Sequence, residues 1–258
     1  MIMLHDKDRL EAFLRRDTYL HIYSLGDLDD FFWRHTTWFG LEKAGELLAV
    51  ALLYSGLELP CLLALSRPVQ PMVELIRACR KLLPLRFYTH LSPGVEEVLR
   101  PEYRLDSHGK HIKMGLRDRA PLDAADVSAV ERLDREDLKR LLTLYEAAYP
   151  GHWFEGHMLE TGQYFGIREG GRLAAVSGVH VYSPGQRVAA LGNIATHPDR
   201  RRRGMGRAVT ARLCRSLLET ADHIGLNVHE ANGAARSLYR SLGFVDVAEY
   251  VEYMVEKR

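Results

Sequence analysis

A stretch of seventeen residues occurs twice in the chain, and this repeat limits the architectures that the chain can adopt. Residues 38–54 (WFGLEKAGELLAVALLY) align without a gap on residues 164–180 (YFGIREGGRLAAVSGVH), so equivalent positions differ by 164 − 38 = 126 in number. Six of the seventeen pairs are identical, namely Phe39/Phe165, Gly40/Gly166, Gly45/Gly171, Leu47/Leu173, Ala49/Ala175 and Val50/Val176. An offset close to half of the 258 residues indicates two related halves of similar length.

Both halves show the pattern of a domain that mixes strands and helices. Each copy of the repeat predicts strand, turn and strand, because a short apolar run meets a charged, glycine-containing tetrad and then a run of β-forming residues. Residues 103–118 and 244–258 are predicted as the closing strand of their respective halves. The polar stretch RDRAPLDAAD, residues 117–126, contains a proline and is predicted to connect them. We therefore predict two domains, residues 1–119 and 120–258.

The halves differ in the segment that comes after their repeated strands. In the second half this segment is DRRRRGMGR, residues 199–207, in which Gly204 and Gly206 are predicted to open a helix. The buried stripe of that helix recurs every four residues, at Met205, Val209, Leu213 and Leu217. The first half keeps a helix but lacks the glycine pair and the arginines, and Pro68 and Pro71 reduce the backbone donors at its start. A phosphorylated ligand is therefore expected only in the second half.

A helix start of this kind is suited to holding an anion. The first backbone N–H groups of a helix have no partner within the helix, and the helix dipole places positive charge there. Glycines at 204 and 206 remove the Cβ atoms that would keep a pyrophosphate away from these amides. The arginines at 201 to 203 and at 207 can add charge-assisted hydrogen bonds.

Other uses of the segment have less support. A Walker-type loop needs Lys followed by Ser or Thr after the second glycine, where Arg207 and Ala208 stand. A dinucleotide-binding fingerprint needs a third glycine where Val209 stands. Lys and Arg number 35 against 34 Asp and Glu, a formal net charge of +1, so no global basic field attracts a nucleic acid. A solvated basic run remains open as an interpretation of Arg200–Arg203.

Cysteine and histidine usage indicates a compartment and argues against a metal. Cys61, Cys79 and Cys214 are widely separated and odd in number, which disfavours a disulfide framework and fits a reducing environment. His152 and His157 are five residues apart and have no cysteine companion, so no metal is expected. No apolar run approaches the length of a membrane span. We expect a cytoplasmic protein with no membrane or nucleic-acid partner.

The motifs on both sides of the glycine pair resemble those of the GNAT superfamily of acyl-coenzyme A dependent N-acyltransferases. The matching positions are Thr196-His197-Pro198, Arg201-x-x-Gly204-x-Gly206, Leu226-x-Val228, Asn232, Ala235, Leu238-Tyr239 and Leu242-Gly243-Phe244. The resemblance covers the second half from about Val130 onward, and LGNIATHPDRRRRG is similar to the glycine N-acyltransferase-like branch. The first half resembles a degenerate GNAT domain that has lost its coenzyme loop.

The resemblance implies an α/β chain, of the α+β kind, with tandem GNAT-like domains that are each a mixed, mostly antiparallel sheet flanked by helices. Acetyl-coenzyme A, the co-substrate, would lie in a V-shaped gap between two splayed parallel strands, VAALGNIAT and IGLNVHE. Its pantetheine arm would follow a free strand edge, which suits the arm's amides. The implied coenzyme-binding residues are Ile194, Ala195, Thr196, Arg201, Arg202, Arg203, Gly204, Met205, Gly206, Arg207 and Asn232. Asn232 is equally well interpreted as a plain helix N-cap.

Acyl transfer from a thioester needs an uncharged amine, a contact for the oxyanion and a proton for the departing thiolate. Tyr239 matches the family tyrosine proposed as the general acid, and packing on a neighbouring strand is its alternative role. A strand amide near Ile194 could contact the oxyanion. Asn193 stands where several family members carry Glu, and an amide cannot take a proton. Glu230 and then His180 are the candidate bases, the imidazole having a reference pKa of about 6.5.

The sequence therefore predicts an N-acetyltransferase that moves an acetyl or short acyl group from acyl-CoA to a primary amine in a ternary complex. Residues 149–162 (YPGHWFEGHMLETG) are expected to line the acceptor pocket, since they combine aromatic and polar side chains. A coenzyme A sensor or scaffold without turnover is the alternative. The acceptor amine, the acyl chain length and the oligomeric state stay open.

Overall fold

A computed structural model describes residues 1–56 and 58–258 and divides them into two compact units. Unit 1 contains residues 1–113, 228–231 and 247–258, and unit 2 contains residues 114–227 and 232–246. The predicted domain boundary after residue 119 stays a prediction. The two units differ from the two predicted domains chiefly in the last twelve residues, 247–258, which belong to unit 1.

Twelve strands and eight α-helices are formed by the described residues. The strands are β1 Ile2–Leu4, β2 Thr36–Lys43, β3 Glu46–Tyr54, β4 Cys61–Ala64, β5 Arg86–Leu91, β6 Tyr103–Leu116, β7 Glu131–Arg132, β8 Phe165–Glu169, β9 Arg172–Ser183, β10 Val188–Thr196, β11 His223–His229 and β12 Phe244–Lys257. The helices are α1 Lys7–Leu14, α2 Ile22–Gly26, α3 Asp30–Trp33, α4 Gln70–Cys79, α5 Ala120–Asp123, α6 Leu138–Ala148, α7 Met205–Leu217 and α8 Gly233–Ser241.

Each unit has a mixed, mostly antiparallel sheet. The strand order in unit 1 is β1-β2-β3-β4-β5-β12, and only β4 and β5 run parallel. The order in unit 2 is β11-β10-β9-β8-β7, and only β10 and β11 run parallel. The predicted fold class is therefore confirmed. No helix among residues 1–56 and 58–258 has the length and apolar composition needed to cross a membrane.

The sequence repeat corresponds to the same hairpin in both units. The turn of β2-β3 has positive φ at Ala44 (50°) and Gly45 (82°), and that of β8-β9 has it at Gly170 (57°) and Gly171 (76°). Two consecutive positive φ values are typical of the type I′ turn, whose twist matches that of a hairpin. The β-bulge is repeated as well, after Leu41 in one hairpin and after Ile167 in the other, again 126 residues apart.

The repeated glycine in the first strand of each hairpin is required by close packing. A Cβ on Gly40 would lie 3.0 Å from Leu47 Cδ1, and one on Gly166 would lie 3.0 Å from Leu173 Cδ2. A leucine from outside the hairpin lies closer still, 2.6 Å in the first case (Leu4) and 2.9 Å in the second (Leu133). These contacts explain the identity of the Gly40/Gly166 and Leu47/Leu173 pairs.

The closing strand of the second half completes the sheet of unit 1, contrary to the expectation that it would close its own half. Residues Val251–Glu256 of β12 pair with β5 in antiparallel register, Glu252 opposite His90. Tyr253 and Val255 are buried in the apolar core of unit 1, together with Phe87 and the α4 side chains. The alternation of apolar and polar residues in β12 indicates a strand, but it cannot specify which sheet edge the strand joins.

The other face of β12 carries a buried polar cluster centred on the carboxylate of Glu252. The hydroxyls of Tyr88 and Tyr250 both donate to it, the latter at 2.7 Å. Nε2 of His90 lies 3.4 Å and Nε2 of His111 3.7 Å from its oxygens. Burial alone would raise the Glu252 pKa, but these neighbours outweigh it, so the pKa is lowered.

Lys113 is buried beside this cluster, with only 2% of its surface exposed. Its ammonium lies 4.8 Å from the ring centre of Tyr23 and 5.3 Å from that of Tyr250. Burial lowers the Lys113 pKa from 10.5 to about 7, although Glu252 and Asp17 act in the opposite direction. Holding a charged lysine there costs unit 1 stability, because the hydration of the ammonium is lost without full compensation.

We expect Lys113→Met to raise the thermal midpoint, and by more at pH 6 than at pH 9. An unfolded lysine keeps its proton up to about pH 10.4, whereas folded Lys113 loses it near pH 7. The penalty is complete below pH 7 and is relieved as the pH rises towards 10.5. A difference of a few degrees between the two gains is measurable by calorimetry.

Lys110→Met is the matched control on the same strand. Lys110 is 40% exposed and paired with Glu230 and Glu249, so its removal should change the midpoint little. Equal gains at pH 6 and pH 9 for Lys113→Met would contradict a folded pKa near neutrality.

Candidate functional site

The parallel strands β10 and β11 separate partway along unit 2. They pair in register from Val188↔His223 to Leu191↔Leu226. Beyond Leu191, β10 continues to Thr196 and pairs only with β9, on its other side. The edge from Gly192 to Thr196 therefore has no strand partner on the β11 side within the described part of the chain. We call this opening the gap, and it agrees with the splayed strands that the family resemblance implied.

A β-bulge in β10 marks the point of separation. The register with β9 shifts between Gly192 and Ala195, which leaves Asn193 and Ile194 outside the regular ladder. Asn193 has φ of 53°, in the left-handed region that Asn tolerates better than most residues. A bulge of this kind bends its strand, and here it releases Asn193 and Ile194 from the regular ladder at the point where β11 separates.

Two buried tyrosines hold the bulge. Tyr145 of α6 donates its hydroxyl to the Asn193 carbonyl at 2.9 Å. The Asn193 side-chain amide donates to the Tyr164 hydroxyl at 3.0 Å, and that hydroxyl donates to the Val179 carbonyl at 3.2 Å. Burial raises the pKa of both phenols, so they stay protonated and able to donate.

The helix α7 begins as the sequence predicted. Gly204 is its N-cap, with φ of 78°, and the helix runs from Met205 to Leu217. The backbone N–H groups of residues 202–207 donate to no acceptor anywhere in residues 1–56 and 58–258. Six neighbouring amides at the positive end of a helix dipole form an anion-binding surface. We refer to residues 200–207 as the arginine loop.

Gly206 brings the arginine loop close to the gap. A Cβ on this residue would lie 3.2 Å from Thr196 Oγ1 at the end of β10 and 3.1 Å from Leu238 Cδ1 of α8. Gly204 has open space around its missing Cβ, and its requirement for glycine comes from the positive φ. The two glycines therefore have different roles. Gly206 allows a close approach to β10 and α8, and Gly204 allows the left-handed backbone conformation.

The arginines of the loop have different partners. Glu169, the last residue of β8, binds Arg200 at 2.6 Å and Arg203 at 3.1 Å. Two others donate to carbonyl groups: Arg201 to those of Thr196 and Ala148 at 3.4 and 3.5 Å, and Arg207 to that of Pro121 at 3.2 Å. Arg202 is exposed and meets no acidic side chain among the described residues.

Helix α8 carries two of the predicted site residues. Asn232 is its N-cap, and its Oδ1 accepts the Ala235 amide at 3.1 Å, so the capping role is realised while its Nδ2 keeps its donors. Tyr239 is 8% exposed, and its ring packs on Phe244. Burial, with a smaller effect from Tyr149, raises the Tyr239 pKa, which keeps the phenol protonated.

The two predicted bases have different surroundings. His180 in β9 lies against the bulge, since a Cβ on Gly192 would clash with its imidazole ring. Glu230 belongs to unit 1, where its carboxylate lies 3.3 Å from the ammonium of Lys110 and its amide donates to the Lys110 carbonyl. The structure thus places His180, and not Glu230, among the bulge residues of unit 2.

The predicted acceptor segment supplies an aromatic cluster. Phe154 is buried, 5.1 Å from Tyr145 and 5.5 Å from Tyr164 between ring centres, and His152 lies 4.7 Å from Tyr145. Trp153 is half exposed. Sequence reasoning missed Tyr145 and treated Tyr164 only as a repeat position, opposite Trp38. The described residues contain no cluster of three His, Cys, Asp or Glu side chains able to hold a metal ion.

Unit 1 has no equivalent gap in its described residues. After β4 and β5 have paired, Ser92 donates its amide to the Ala64 carbonyl at 3.1 Å, and Ser66 donates its amide to Ser92 Oγ at 2.9 Å. These bonds hold the two strands together where β10 and β11 separate in unit 2. Helix α4 also begins with Pro71 at its first turn, which removes one free amide.

Comparison with known proteins agrees with this geometry. The model of the acetyltransferase (GNAT) family matches residues 128–244. The ribosomal protein bS18 alanine N-acetyltransferase of Escherichia coli K12 is 30% identical over 123 residues, which is 46% of this chain and 81% of that protein.

Two solved structures share the fold over nearly the whole chain. A Drosophila protein superimposes with a TM-score of 0.71 at 13% identity, covering 98% of this chain and 97% of the other. A tandem GNAT protein from the clavulanic acid biosynthesis pathway gives a TM-score of 0.56 at 13% identity, with 97% and 94% covered. The fold is thus shared with these structures, and the relative of 30% identity, together with the matched family model, shows that the chain belongs to the GNAT family of acetyltransferases.

Proposed function

We propose that this protein transfers an acetyl or short acyl group from acyl-CoA to a primary amine by direct attack in a ternary complex. One observation carries the proposal. Six unpartnered amides of the arginine loop lie at the end of an unpaired strand edge, joined to it through the Gly206–Thr196 contact. An anion site continuous with a polar backbone edge matches a ligand with a pyrophosphate and an amide-containing arm.

The residues of unit 2 fit acyl-CoA in both parts. Ile194, Ala195 and Thr196 offer backbone groups to the pantetheine arm, and the amides of residues 202–207 face the pyrophosphate. Arg202 has its guanidinium available for a phosphate, whereas Arg200 and Arg203 would have to share theirs with Glu169. The bound coenzyme supplies the activated thioester.

Tyr239 is proposed as the proton donor to the departing sulfur. Its buried phenol is protonated at neutral pH and donates to no acceptor within the described residues. The amide of Ile194, displaced from the ladder by the bulge, is proposed to contact the oxyanion. His180 and Glu230 are the candidates if an enzyme side chain takes the amine proton, and only His180 has a geometric link to the bulge. An amine that arrives uncharged, with its surplus proton passing to solvent, requires no dedicated base.

A coenzyme A sensor without turnover is the second candidate. It is favoured by Asn193, which supplies an amide where a carboxylate could have taken the amine proton. The motifs resemble those of the glycine N-acyltransferase-like branch, whereas the bacterial relative is named for an alanine acceptor. These two similarities do not point to one amine, so the acceptor stays open.

Two measurements on the wild-type protein separate these candidates. Acetyl-CoA at 100 times its Kd should stabilise the protein by about 2.7 kcal/mol. Release of free thiol is then followed over a panel of amino acids, polyamines, aminoglycosides and peptides with free N-termini. Stabilisation with thiol release on an amine supports the transferase, stabilisation without release supports the sensor, and no stabilisation removes both.

We expect Gly206→Glu to abolish binding of acetyl-CoA, because it adds bulk at a site where a Cβ is already tight and places a negative charge beside the phosphates. Gly206→Ala adds bulk alone and should weaken binding less. Isothermal titration calorimetry measures both. Gly185→Glu is the control, since a Cβ there meets nothing within 4 Å, and it should bind as the wild type does.

Tyr239→Phe should lower kcat by about 10² to 10⁴-fold while the Kd for acetyl-CoA stays within about twofold, as expected for loss of a general acid. Steady-state kinetics and calorimetry on the same preparation provide the two numbers. Tyr182→Phe, which removes a hydroxyl that pairs with Thr220, serves as control. A parallel loss of coenzyme affinity in Tyr239→Phe would assign the tyrosine to binding.

A further inference from the structure

The side chain of Asn193 has a buried carbonyl oxygen without a hydrogen-bond partner. Only 2% of the residue is exposed, and its Oδ1 has no protein partner within the described residues. A buried acceptor left unsatisfied costs about 1 to 3 kcal/mol, so such atoms are rare in stable proteins. An atom of this kind at the bulge, beside the gap, is an acceptor that the N–H of a bound ligand can satisfy.

The direction of this oxygen is fixed by its neighbours. The Tyr164 hydroxyl has two other acceptors for its single hydrogen, the Val179 carbonyl at 3.2 Å and Met158 Sδ at 3.5 Å, and in this arrangement it accepts from Asn193. Nδ2 therefore faces Tyr164, with Met158 Sδ at 3.5 Å as a weak second acceptor. With the amide rotated by 180°, Oδ1 would face Met158 Sδ, which cannot donate, and the Tyr164 hydrogen would have to leave its acceptors Val179 and Met158.

The backbone of Asn193 is held as firmly as its side chain. Tyr145 binds the carbonyl group, and the bulge fixes the left-handed conformation. Because one tyrosine binds the backbone of Asn193 and another binds its side chain, Oδ1 is already ordered before a ligand binds. Such preorganisation is what orientation of a reactant requires.

We infer that Asn193 Oδ1 accepts an N–H of the attacking amine and so orients the nitrogen lone pair towards the thioester. This inference rests on the proposed function. An amide oxygen binds a neutral amine but takes no proton from it, so the acceptor is an amine that arrives uncharged. The enzyme then selects amines by their basicity as well as their shape.

The proton balance follows from this role. The amine nitrogen forms a bond to the carbonyl carbon, the C–S bond breaks, and the thiolate takes the Tyr239 proton. The surplus proton of the amine goes to solvent, and solvent reprotonates the Tyr239 oxygen. Because no side chain at Asn193 titrates, kcat/KM should rise with pH along the titration of the amine itself.

The test compares Asn193→Gly and Asn193→Asp with the wild type. Glycine tolerates the positive φ and removes the oxygen, and aspartate keeps the shape but adds a group able to take a proton. The probes are the most active primary amine from the panel and its less basic β-fluorinated analogue, measured between pH 6 and 9.5 at saturating acetyl-CoA.

We expect the acid limb of the wild-type profile to move to lower pH with the fluorinated amine. Asn193→Gly should lower kcat/KM about tenfold or more for either amine, with the Kd for acetyl-CoA within about twofold. In Asn193→Asp the acid limb should become the same for both amines, since an enzyme group now takes the proton. A merely structural residue would not change this dependence on the amine.

Ser177→Ala is the matched control, because it removes another buried oxygen without a partner from the neighbouring strand β9. It should leave kcat/KM within about twofold. Equal behaviour of Asn193→Gly and Ser177→Ala would overturn the inference and assign Oδ1 to a buried water. An acid limb that stays in place for the fluorinated amine in the wild type would also overturn it. Absence of transfer by the wild type would instead count against the proposed function.

Discussion

The separation of β10 from β11 is the constraint on which the candidate site depends. Parallel strands remain paired unless something turns one of them aside, and here a bulge at Asn193 and Ile194 does so. The bulge is costly in itself, with a left-handed residue and a break in the ladder. Hydrogen bonds from Tyr145 and to Tyr164 stabilise it. The free strand edge, its alignment with the arginine loop and the orientation of Asn193 all depend on this local arrangement.

Only a few local differences distinguish the open strand pair of unit 2 from the closed strand pair of unit 1. Both hairpins share their turn, their bulge and a glycine packed against a leucine. In unit 1 the Ser66–Ser92 bond keeps the parallel strands joined, and a proline stands in the first turn of the next helix. The residue before the turn forms a salt bridge in both units, but its charge is reversed. Lys43 pairs with Glu74 in unit 1, and Glu169 pairs with Arg200 and Arg203 in unit 2.

Features governed by residues close in sequence could be predicted, and those that depend on distant partners could not. The hairpins, the helix opened by Gly204 and the buried stripe of α7 result from turn chemistry and periodicity. The bulge at Asn193 depends on two tyrosines that are 29 and 48 residues away. Glu169 gives no local sign that it binds Arg200 and Arg203. The Glu252 cluster of unit 1 joins three strands, which no pattern within one strand reveals.

The position of β12 has a consequence for how the chain folds during synthesis. N-terminal domains commonly fold while the ribosome is still producing the later part of the chain. Here residues 247–258 are made after all of unit 2, yet they supply the strand that pairs with β5 and the buried Tyr253 and Val255 of unit 1. The earlier part of the chain must therefore wait with one edge of its sheet uncovered. Unit 1 can therefore be completed only after the whole of unit 2 has been translated.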